Sequence, residues 1–412
     1  MRWWLVSLAV SACVKFTPPD VVVDDALPIV PDAGPCETVS QTCAGELTLR
    51  SCIAVGVEPV DSECTWGCVT TGATGHCGAL TPTGGALTAE QIDSTTFGGL
   101  ADFTLSGTID STSGTFNGAV PANVDVSLGA GVVVFRFKSL LIDGPVNLVG
   151  SRAIVLVAAG PISVTSTITG TSCGLGSAGP GGFLGANANT AAAGPGGGLG
   201  GGGGGGAGGG HAGLGGSAGN NLGGSAFGDA AITTLVGGGA GGGGSGGGNS
   251  GRGGGGGGAL QLVSNTGIAV SSLAAINLGG CGGRGAPSSN DGGGGGGAGG
   301  TVLLEAPQIT VAGTIAVNGG GGGASGTSIA GENGRASRAQ ASGGTGDTAD
   351  GARGASGSTT AGTTTNNGGG GGAIGRLRFT TRTGAVTVDG ATLSPDLGDV
   401  ATPATVAIAN IQ

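Results

Sequence analysis

Five segments of the chain repeat one pattern of short strands, and this repeat restricts the fold more than any other feature of the sequence. Each segment contains up to three runs of alternating apolar residues, separated by Gly, Pro, Asn or Thr. The segments begin at Val132, Ala153, Ala259, Thr301 and Ile374. When they are aligned on the second run, the equivalent residues are Leu140, Ile162, Ile268, Ile309 and Val386, which are 22, 106, 41 and 77 residues apart. If 22 residues make one complete repeat, each longer interval contains an insert, and every insert follows the third run.

A parallel β-helix produces this arrangement, because each coil buries its inward residues against the next while loops lengthen at one corner. The pattern predicts an all-β fold in which residues 131–395 form about five coils of a parallel β-helix. Its inserts are expected at about 174–258, 279–300 and 318–373. An antiparallel sandwich is the alternative, since it also has short alternating strands. Ser- and Thr-rich strands at 81–130 are expected to lead into this body, and 396–412 to form a C-terminal strand or tail.

The inserts hold most of the 103 glycines in this chain of 412 residues. Glycine loses the most conformational entropy on folding, so flexible linkers are one interpretation. The runs recur at matched places, and Ala or Ser interrupts them, which favours the alternative of a laterally packed, polyglycine II-like layer beside the β-helix. In composition they resemble the glycine-rich tips of some phage adhesins. The longest insert also contains larger apolar residues, which we expect to anchor it to the β-helix rather than to form a ligand groove: Phe183, Leu184, Leu199, Leu214, Leu222, Phe227, Ile232 and Leu235.

Two cysteines occupy equivalent positions in two repeats. Cys173 and Cys281 each lie five residues after an isoleucine of the third run, Ile168 and Ile276. Equivalent residues in stacked strands are about 4.8 Å apart, which is within the Cα separation of disulfides. The sequence therefore predicts a disulfide between Cys173 and Cys281 at the base of the longest insert. Two unrelated free thiols are the alternative.

The N-terminus has the features of an export signal. Arg2 precedes an apolar run that ends in Val10-Ser11-Ala12-Cys13, and these four residues resemble the lipobox of bacterial lipoproteins. The resemblance implies that residues 1–12 are a signal peptide and that Cys13 is diacylated and anchors the chain to a membrane. Residues 13–35, rich in Pro and Asp, would then be a tether. An ordinary secretory signal and the start of a buried helix are the alternatives.

A cysteine-rich module follows at 36–80. It contains Cys36, Cys43, Cys52, Cys64, Cys68 and Cys77. So short a segment cannot hold itself together by apolar burial, so we expect three disulfides, in a pairing that the sequence leaves open. A metal site formed by Cys64, Cys68, His76 and Cys77 is the alternative. The module resembles small cysteine-rich modules of secreted bacterial surface proteins, a resemblance that implies no activity.

The sequence contains few motifs of catalysis or cofactor binding. The net charge of −10 and the presence of only two lysines disfavour a nucleic-acid partner. Glycine runs match G-x-G-x-x-G by chance, and Gly343–Gly351 is a single degenerate copy of a calcium-binding repeat. Many parallel β-helices are polysaccharide lyases or hydrolases, which makes a few charged residues on the last coils catalytic candidates: Glu305, Arg376, Arg378, Arg382 and Asp389. We interpret Arg376 and Arg378 instead as solvated charges at the end of a sheet.

Taken as a whole, the sequence resembles a bacterial glycine-rich cell-surface lipoprotein with a β-helix-like repeat body. The resemblance implies an outer-membrane protein that is anchored through Cys13 and faces the cell exterior. We expect a structural or adhesive role with no catalytic residue, metal or cofactor. Its further partner would be a surface polysaccharide or another cell-surface molecule. A β-helix carbohydrate-active enzyme is the main alternative, and ice or mineral binding by Thr-x-Thr ladders is a third.

Overall fold

The computed structural model describes residues 34–171, 173–174, 176–397 and 403–412. The predicted signal peptide, Cys13 and the tether up to residue 33 lie outside these ranges. Within them, regular structure is almost entirely β: 25 strands stand against one four-residue helix, α1 (Ala89–Ile92), and a 3₁₀ turn at Ser94–Phe97. The prediction of an all-β protein is confirmed.

The cysteine-rich module contains an antiparallel three-stranded sheet and a separate hairpin. Its strands are β1 (Ser40–Gly45), β2 (Thr48–Cys52), β3 (Val60–Glu63), β4 (Cys68–Thr71) and β5 (Thr74–Cys77). Disulfides join Cys36 to Cys52, Cys43 to Cys68 and Cys64 to Cys77. Most strand residues are exposed or half-buried, so covalent links replace the missing core. The metal alternative is wrong, because the sulfurs of Cys64 and Cys77 are bonded to each other.

Residues 78–100, which we call the strap, connect this module to the repeats. The strap contains β6 (Leu80–Thr81), which pairs with the C-terminal β25 (Asn410–Ile411), then α1 and the 3₁₀ turn. Leu80, Ile92 and Phe97 are buried against one face of the large sheet described next. The strap therefore covers that face, and apolar burial holds it there.

Three strands lead from the strap into the repeats: β7 (Asp102–Asp110), β8 (Thr115–Phe116) and β9 (Asp125–Leu128). The first strand of each repeat then enters one seven-stranded sheet, in the order β24-β21-β18-β15-β12-β10-β9. These strands are β10 (Val132–Phe137), β12 (Ala153–Ala158), β15 (Ala259–Ser264), β18 (Thr301–Glu305) and β21 (Arg376–Thr381), followed by β24 (Ala404–Ile408). All of them pair in parallel except β9, which is antiparallel at one edge. The body is therefore not an antiparallel sandwich.

The second and third strands of the repeats enter an eleven-stranded sheet. In the first repeat one long strand, β11 (Ser139–Val149), takes both roles, and it also pairs with β7, which in turn pairs with β8. The second strands are β13 (Ile162–Val164), β16 (Ile268–Val270), β19 (Ile309–Val311) and β22 (Thr387–Val388). The third strands are β14 (Thr167–Thr169), β17 (Ala275–Asn277), β20 (Thr314–Ala316) and β23 (Thr392–Ser394).

The register of these strands is the one that the repeat predicts. Leu140 pairs with Ile162, which pairs with Ile268, which pairs with Ile309. Thr310 pairs with Thr387, which places Val386 next in the same row. Equivalent residues of successive repeats are therefore hydrogen-bonded neighbours, and the repeat alignment is confirmed.

The main core lies between the inward faces of the two large sheets. One row across the seven-stranded sheet shows how it is built: Phe135, Leu156, Leu262, Leu304 and Phe379 are successive partners and are all buried. The outward face of that sheet is also buried, against the strap and part of the first insert. Burial on both faces explains why its strands are continuous apolar runs rather than alternating ones.

Candidate functional site

The glycine-rich inserts leave the sheets at one corner and return to the first strand of the next repeat. They join β14 to β15, β17 to β18 and β20 to β21. Their glycines are largely buried and hydrogen-bond to one another through the backbone. We call this body of hydrogen-bonded inserts the glycine layer.

Segment 293–300 shows the hydrogen-bond pattern of the layer. The amides of Gly293, Gly296 and Gly299 donate to the carbonyls of Asn367, Gly370 and Ala373 at 2.8, 2.9 and 2.9 Å. Those of Gly294, Gly297 and Gly300 donate to Arg284, Cys281 and Leu278, each at 2.8 Å. Those of Gly295 and Ala298 donate to Gly242 and Gly239 at 2.9 and 2.8 Å. The segment thus binds three neighbouring segments in turn with a period of three residues, which is the period of an extended polyproline II chain.

This close packing explains why the segments are glycine. A Cβ on Gly295 would lie 2.0 Å from the carbonyl oxygen of Ala207, and one on Gly294 would lie 1.9 Å from that of Arg252. Backbone atoms cannot move aside as the end of a flexible side chain can. Alanine occurs where a Cβ fits, as at Ala298, which is fully buried. The segments are therefore not flexible linkers in this structure.

A disulfide lies at the base of the first insert. The bond expected between Cys173 and Cys281 is present, with 5.3 Å between the Cα atoms. The amide of Cys281 also donates to Gly255 at 2.9 Å, and its carbonyl accepts from Gly297 at 2.8 Å. The bond therefore ties the start of the first insert to an interior segment of the layer. The alternative of two free thiols is wrong.

An aromatic cluster around the buried ring of His211 lies where the layer meets the seven-stranded sheet. The ring of His211 stacks on Phe227, and Phe183 packs edge-on against Phe227. Nδ1 of His211 lies 2.8 Å from the carbonyl oxygen of Gly299, so that nitrogen carries the proton and donates. Burial lowers the pKa of His211 to about 4, because an imidazolium ion would lose its hydration there. His211 is therefore neutral at neutral pH and acts as a packed hydrogen-bond donor.

The larger apolar residues of the first insert divide into three groups. Phe183 and Phe227 are half-buried and pack in the aromatic cluster with His211. Ile232 and Leu235 are buried against the outward face of the seven-stranded sheet, as the anchor prediction requires. The prediction is wrong for the four remaining leucines, because Leu184, Leu199, Leu214 and Leu222 are 68, 45, 68 and 64% exposed. Each of these four is followed directly by glycine, but so is Leu278, which is fully buried, so the Leu-Gly pair does not distinguish them.

The four exposed leucines lie on adjoining outer segments of the layer, and we call this surface the leucine face. The amide of Leu199 donates to the carbonyl of Leu222 at 3.1 Å, and Gly215, next to Leu214, donates to Gly224 at 2.9 Å. The segments of Leu184 and Leu199 both bond to segment 236–245, through Ala186 to Gly241 and Gly198 to Ala240. Inner segments occupy the opposite side, so the leucine side chains project outward.

An apolar cavity adjoins one end of the leucine face. It has a volume of about 430 Å³, and Leu214, Ile374 and Pro403 are among the residues that line it. The leucine face is therefore continued by a concave apolar surface.

Glu305 does not face solvent. Its Oε1 accepts hydrogen bonds from the amide and the hydroxyl of Thr83 at 3.2 and 2.7 Å, and its Oε2 accepts one from Gln261 at 2.5 Å. Burial raises the pKa of Glu305, since the strap excludes water from the carboxyl. The side chain fixes the strap to β18, and a substrate cannot reach it.

Two other charged candidates, Arg376 and Arg378, form hydrogen bonds with the first insert. Arg376 donates to the carbonyls of Phe227 and Gly228 at 2.8 and 3.1 Å. Arg378 donates to the carbonyl of Ala230 at 3.0 Å. The interpretation of these two arginines as solvated end charges is wrong, because they hold the first insert against the sheet. Burial lowers the pKa of both arginines.

The last two candidates, Arg382 and Asp389, make contacts of their own that do not involve Glu305. Arg382 forms an ion pair with Glu46 of the cysteine-rich module, at 3.1 Å. Asp389 follows β22 in the other sheet, where its amide donates to Val311 at 3.0 Å. The structure therefore does not bring Glu305 and Asp389 together as a carboxylate pair.

The described residues contain neither a cluster of metal-ligand side chains nor a helix that could span a membrane. In the described part of the chain, no three His, Cys, Asp or Glu side chains are grouped so that they could hold a metal ion. In Gly343–Gly351 the carboxylate of Asp350 accepts a hydrogen bond from the amide of Gly346 at 2.8 Å. None of the described helices is long and apolar enough to cross a bilayer.

Comparisons with known proteins give no assignment. No protein-family model matches the chain, and neither a curated protein nor a solved structure is significantly similar to it. Any function has to be argued from the geometry alone.

Proposed function

We propose that the repeats are coils of a parallel β-helix and that the inserts form a polyglycine II-like layer on its side. Constant parallel register between equivalent strands supports the first part. Hydrogen bonds to three neighbouring segments with a period of three residues support the second. Such a body is stiff, because its loops are tied to one another as closely as its strands.

The proposed function is that of a structural or adhesive lipoprotein of a bacterial outer membrane, anchored through Cys13 and exposed on the cell surface. The leucine face is the observation that carries it. Several largely exposed leucines on neighbouring hydrogen-bonded segments favour an interaction site, since leaving apolar surface in water costs free energy. The hydrogen-bonded layer fixes the backbone that carries these leucines, so little backbone entropy is lost on contact.

The competing function, a carbohydrate-active enzyme, receives less support. Such an enzyme needs two carboxylates a short distance apart at a place that substrate can reach. Glu305 lies under the strap and Asp389 lies in the other sheet. We therefore propose a role without catalysis.

The experiment is done in bacterial cells that produce the full chain. We expect the wild type to incorporate an alkyne-labelled fatty acid and to be digested by protease added to intact cells. Cys13→Ser should abolish labelling, because it removes the acylated thiol. A periplasmic protein that resists digestion until the cells are permeabilised is the control for intact envelopes.

The same cells test adhesion. Leu184→Ser combined with Leu199→Ser should reduce attachment of the cells to an apolar surface, and Leu273→Ser, an exposed leucine of the repeat body, should not. Absence of labelling, protection from protease in intact cells, or full attachment of the double variant would each contradict the part of the proposal that it tests.

A further inference from the structure

The glycine layer ends, away from the sheets, in turns that are rich in Asn and Thr. Turns of different inserts meet there around a polar cavity of about 390 Å³. Its polar side chains are Asn220 from the first insert and Thr348, Thr365, Asn366 and Asn367 from the third. Loops held on a rigid scaffold are where proteins commonly place binding residues, and the volume is within the range of small-molecule sites, about 300 to 1,000 Å³.

Hydrogen bonds fix the backbone under this cavity. The amide of Gly219 donates to the carbonyl of Thr364 at 2.9 Å, which joins the two inserts. The side-chain amide of Asn221 donates to the carbonyl of Gly205 at 2.7 Å, and that of Asn367 donates to Ser289 at 3.2 Å. The cavity therefore exists without a ligand, and binding need not order it.

The side chains that project into the cavity are free to bind. Within the described ranges, the side chains of Asn220, Thr348, Thr365 and Asn366 have no protein hydrogen-bond partner, and all four are exposed. Each amide offers two donors and an acceptor, and each hydroxyl offers a donor and an acceptor. This set complements a ligand that presents several hydroxyl groups side by side.

The charge around the cavity restricts the ligand further. None of the described side chains that line it is charged, and Asp347 and Asp350 flank Thr348. An anionic ligand would be repelled by these carboxylates, and a cation would find no charged partner inside the cavity.

We propose that the polar cavity binds a short stretch of a neutral glycan. The proposal deepens the proposed adhesive function, on which it rests for its biological setting. Without an aromatic side chain to stack on a sugar ring, one site binds weakly, and many anchored copies would supply avidity.

The test uses purified protein of residues 14–412 and immobilised oligosaccharides. Neutral glucose, mannose, galactose and N-acetylglucosamine oligomers are compared with alginate, which carries carboxylates. Binding to at least one neutral oligomer and not to alginate is expected. The double variant Thr365→Ala, Asn366→Ala should lose at least about tenfold in affinity, because each change removes an exposed hydrogen-bonding group without touching the layer beneath.

The matched control is Thr310→Ala with Thr387→Ala, two paired residues on the exposed face of the eleven-stranded sheet, which should bind as the wild type does. No binding to any neutral oligomer, preference for alginate, or undiminished binding by the cavity variant overturns the proposal. Such a failure is distinct from failure of the proposed function, because surface exposure and attachment are measured in cells by other readouts.

Discussion

Replacing Gly295 with alanine is expected to destabilise the protein by more than about 3 kcal/mol, an exceptional loss for adding one methyl group. The new Cβ would lie 2.0 Å from the carbonyl oxygen of Ala207 and 2.4 Å from its carbonyl carbon. Relief requires two backbone segments to separate, which lengthens the hydrogen bonds that both make to other segments. The measurement is the free energy of unfolding from denaturant titration, followed by circular dichroism.

Gly213→Ala is the matched control in the same layer. No heavy atom lies within 4 Å of the Cβ that it would add. Its expected effect is between no change and a gain of about 1 kcal/mol, since alanine lowers the entropy of the unfolded chain. Equal stabilities of the two variants would show that segment 293–300 is not packed as described.

Removing the disulfide between Cys173 and Cys281 is expected to lower the free energy of unfolding by about 4 kcal/mol. The two cysteines are 108 residues apart in sequence, and closing so long a loop removes much entropy from the unfolded chain. The variant is Cys173→Ser with Cys281→Ser, compared with the wild type by denaturant titration under non-reducing conditions.

The control for this prediction is Cys36→Ser with Cys52→Ser. That disulfide spans 16 residues, for which the same dependence of unfolded-chain entropy on loop length gives a loss of about 3 kcal/mol in the free energy of unfolding. Its loss should also expose the cysteine-rich module to protease while the repeat body stays resistant. If removing the bond between Cys173 and Cys281 lowers the free energy of unfolding by less than about 1 kcal/mol, the prediction is contradicted. The backbone hydrogen bonds of the glycine layer would then be sufficient to fix the base of the first insert.

The repeat register could be predicted from the sequence because strands bury alternate residues on a fixed period. Once Ile168 and Ile276 are aligned, the position of Cys173 against Cys281 follows from strand spacing alone. The pairing within the cysteine-rich module could not be predicted this way. Its strands are short and mostly exposed, so no apolar pattern orders the six cysteines.

The roles of polar residues were harder to predict, because they depend on contacts between parts of the chain far apart in sequence. Glu305 is 222 residues from Thr83, its partner in the strap, and nothing local in either segment indicates the contact. Arg376 and Arg378 alternate on a strand as solvated residues do, yet the first insert covers that side. The exposure of the four leucines had no signal in the sequence, because Leu278 is also followed by glycine and is fully buried.

Amide hydrogen exchange of the glycines tests the central claim, which is that the inserts form one ordered, hydrogen-bonded layer. Uniformly ¹⁵N-labelled protein is transferred to deuterated water and followed by NMR. The account predicts that the amides of 293–300 exchange only through large-scale opening, as slowly as those of β15 and β18. Gly248, which lies in an exposed turn, should exchange much faster. Exchange of 293–300 within seconds, as in a flexible coil, would contradict the account.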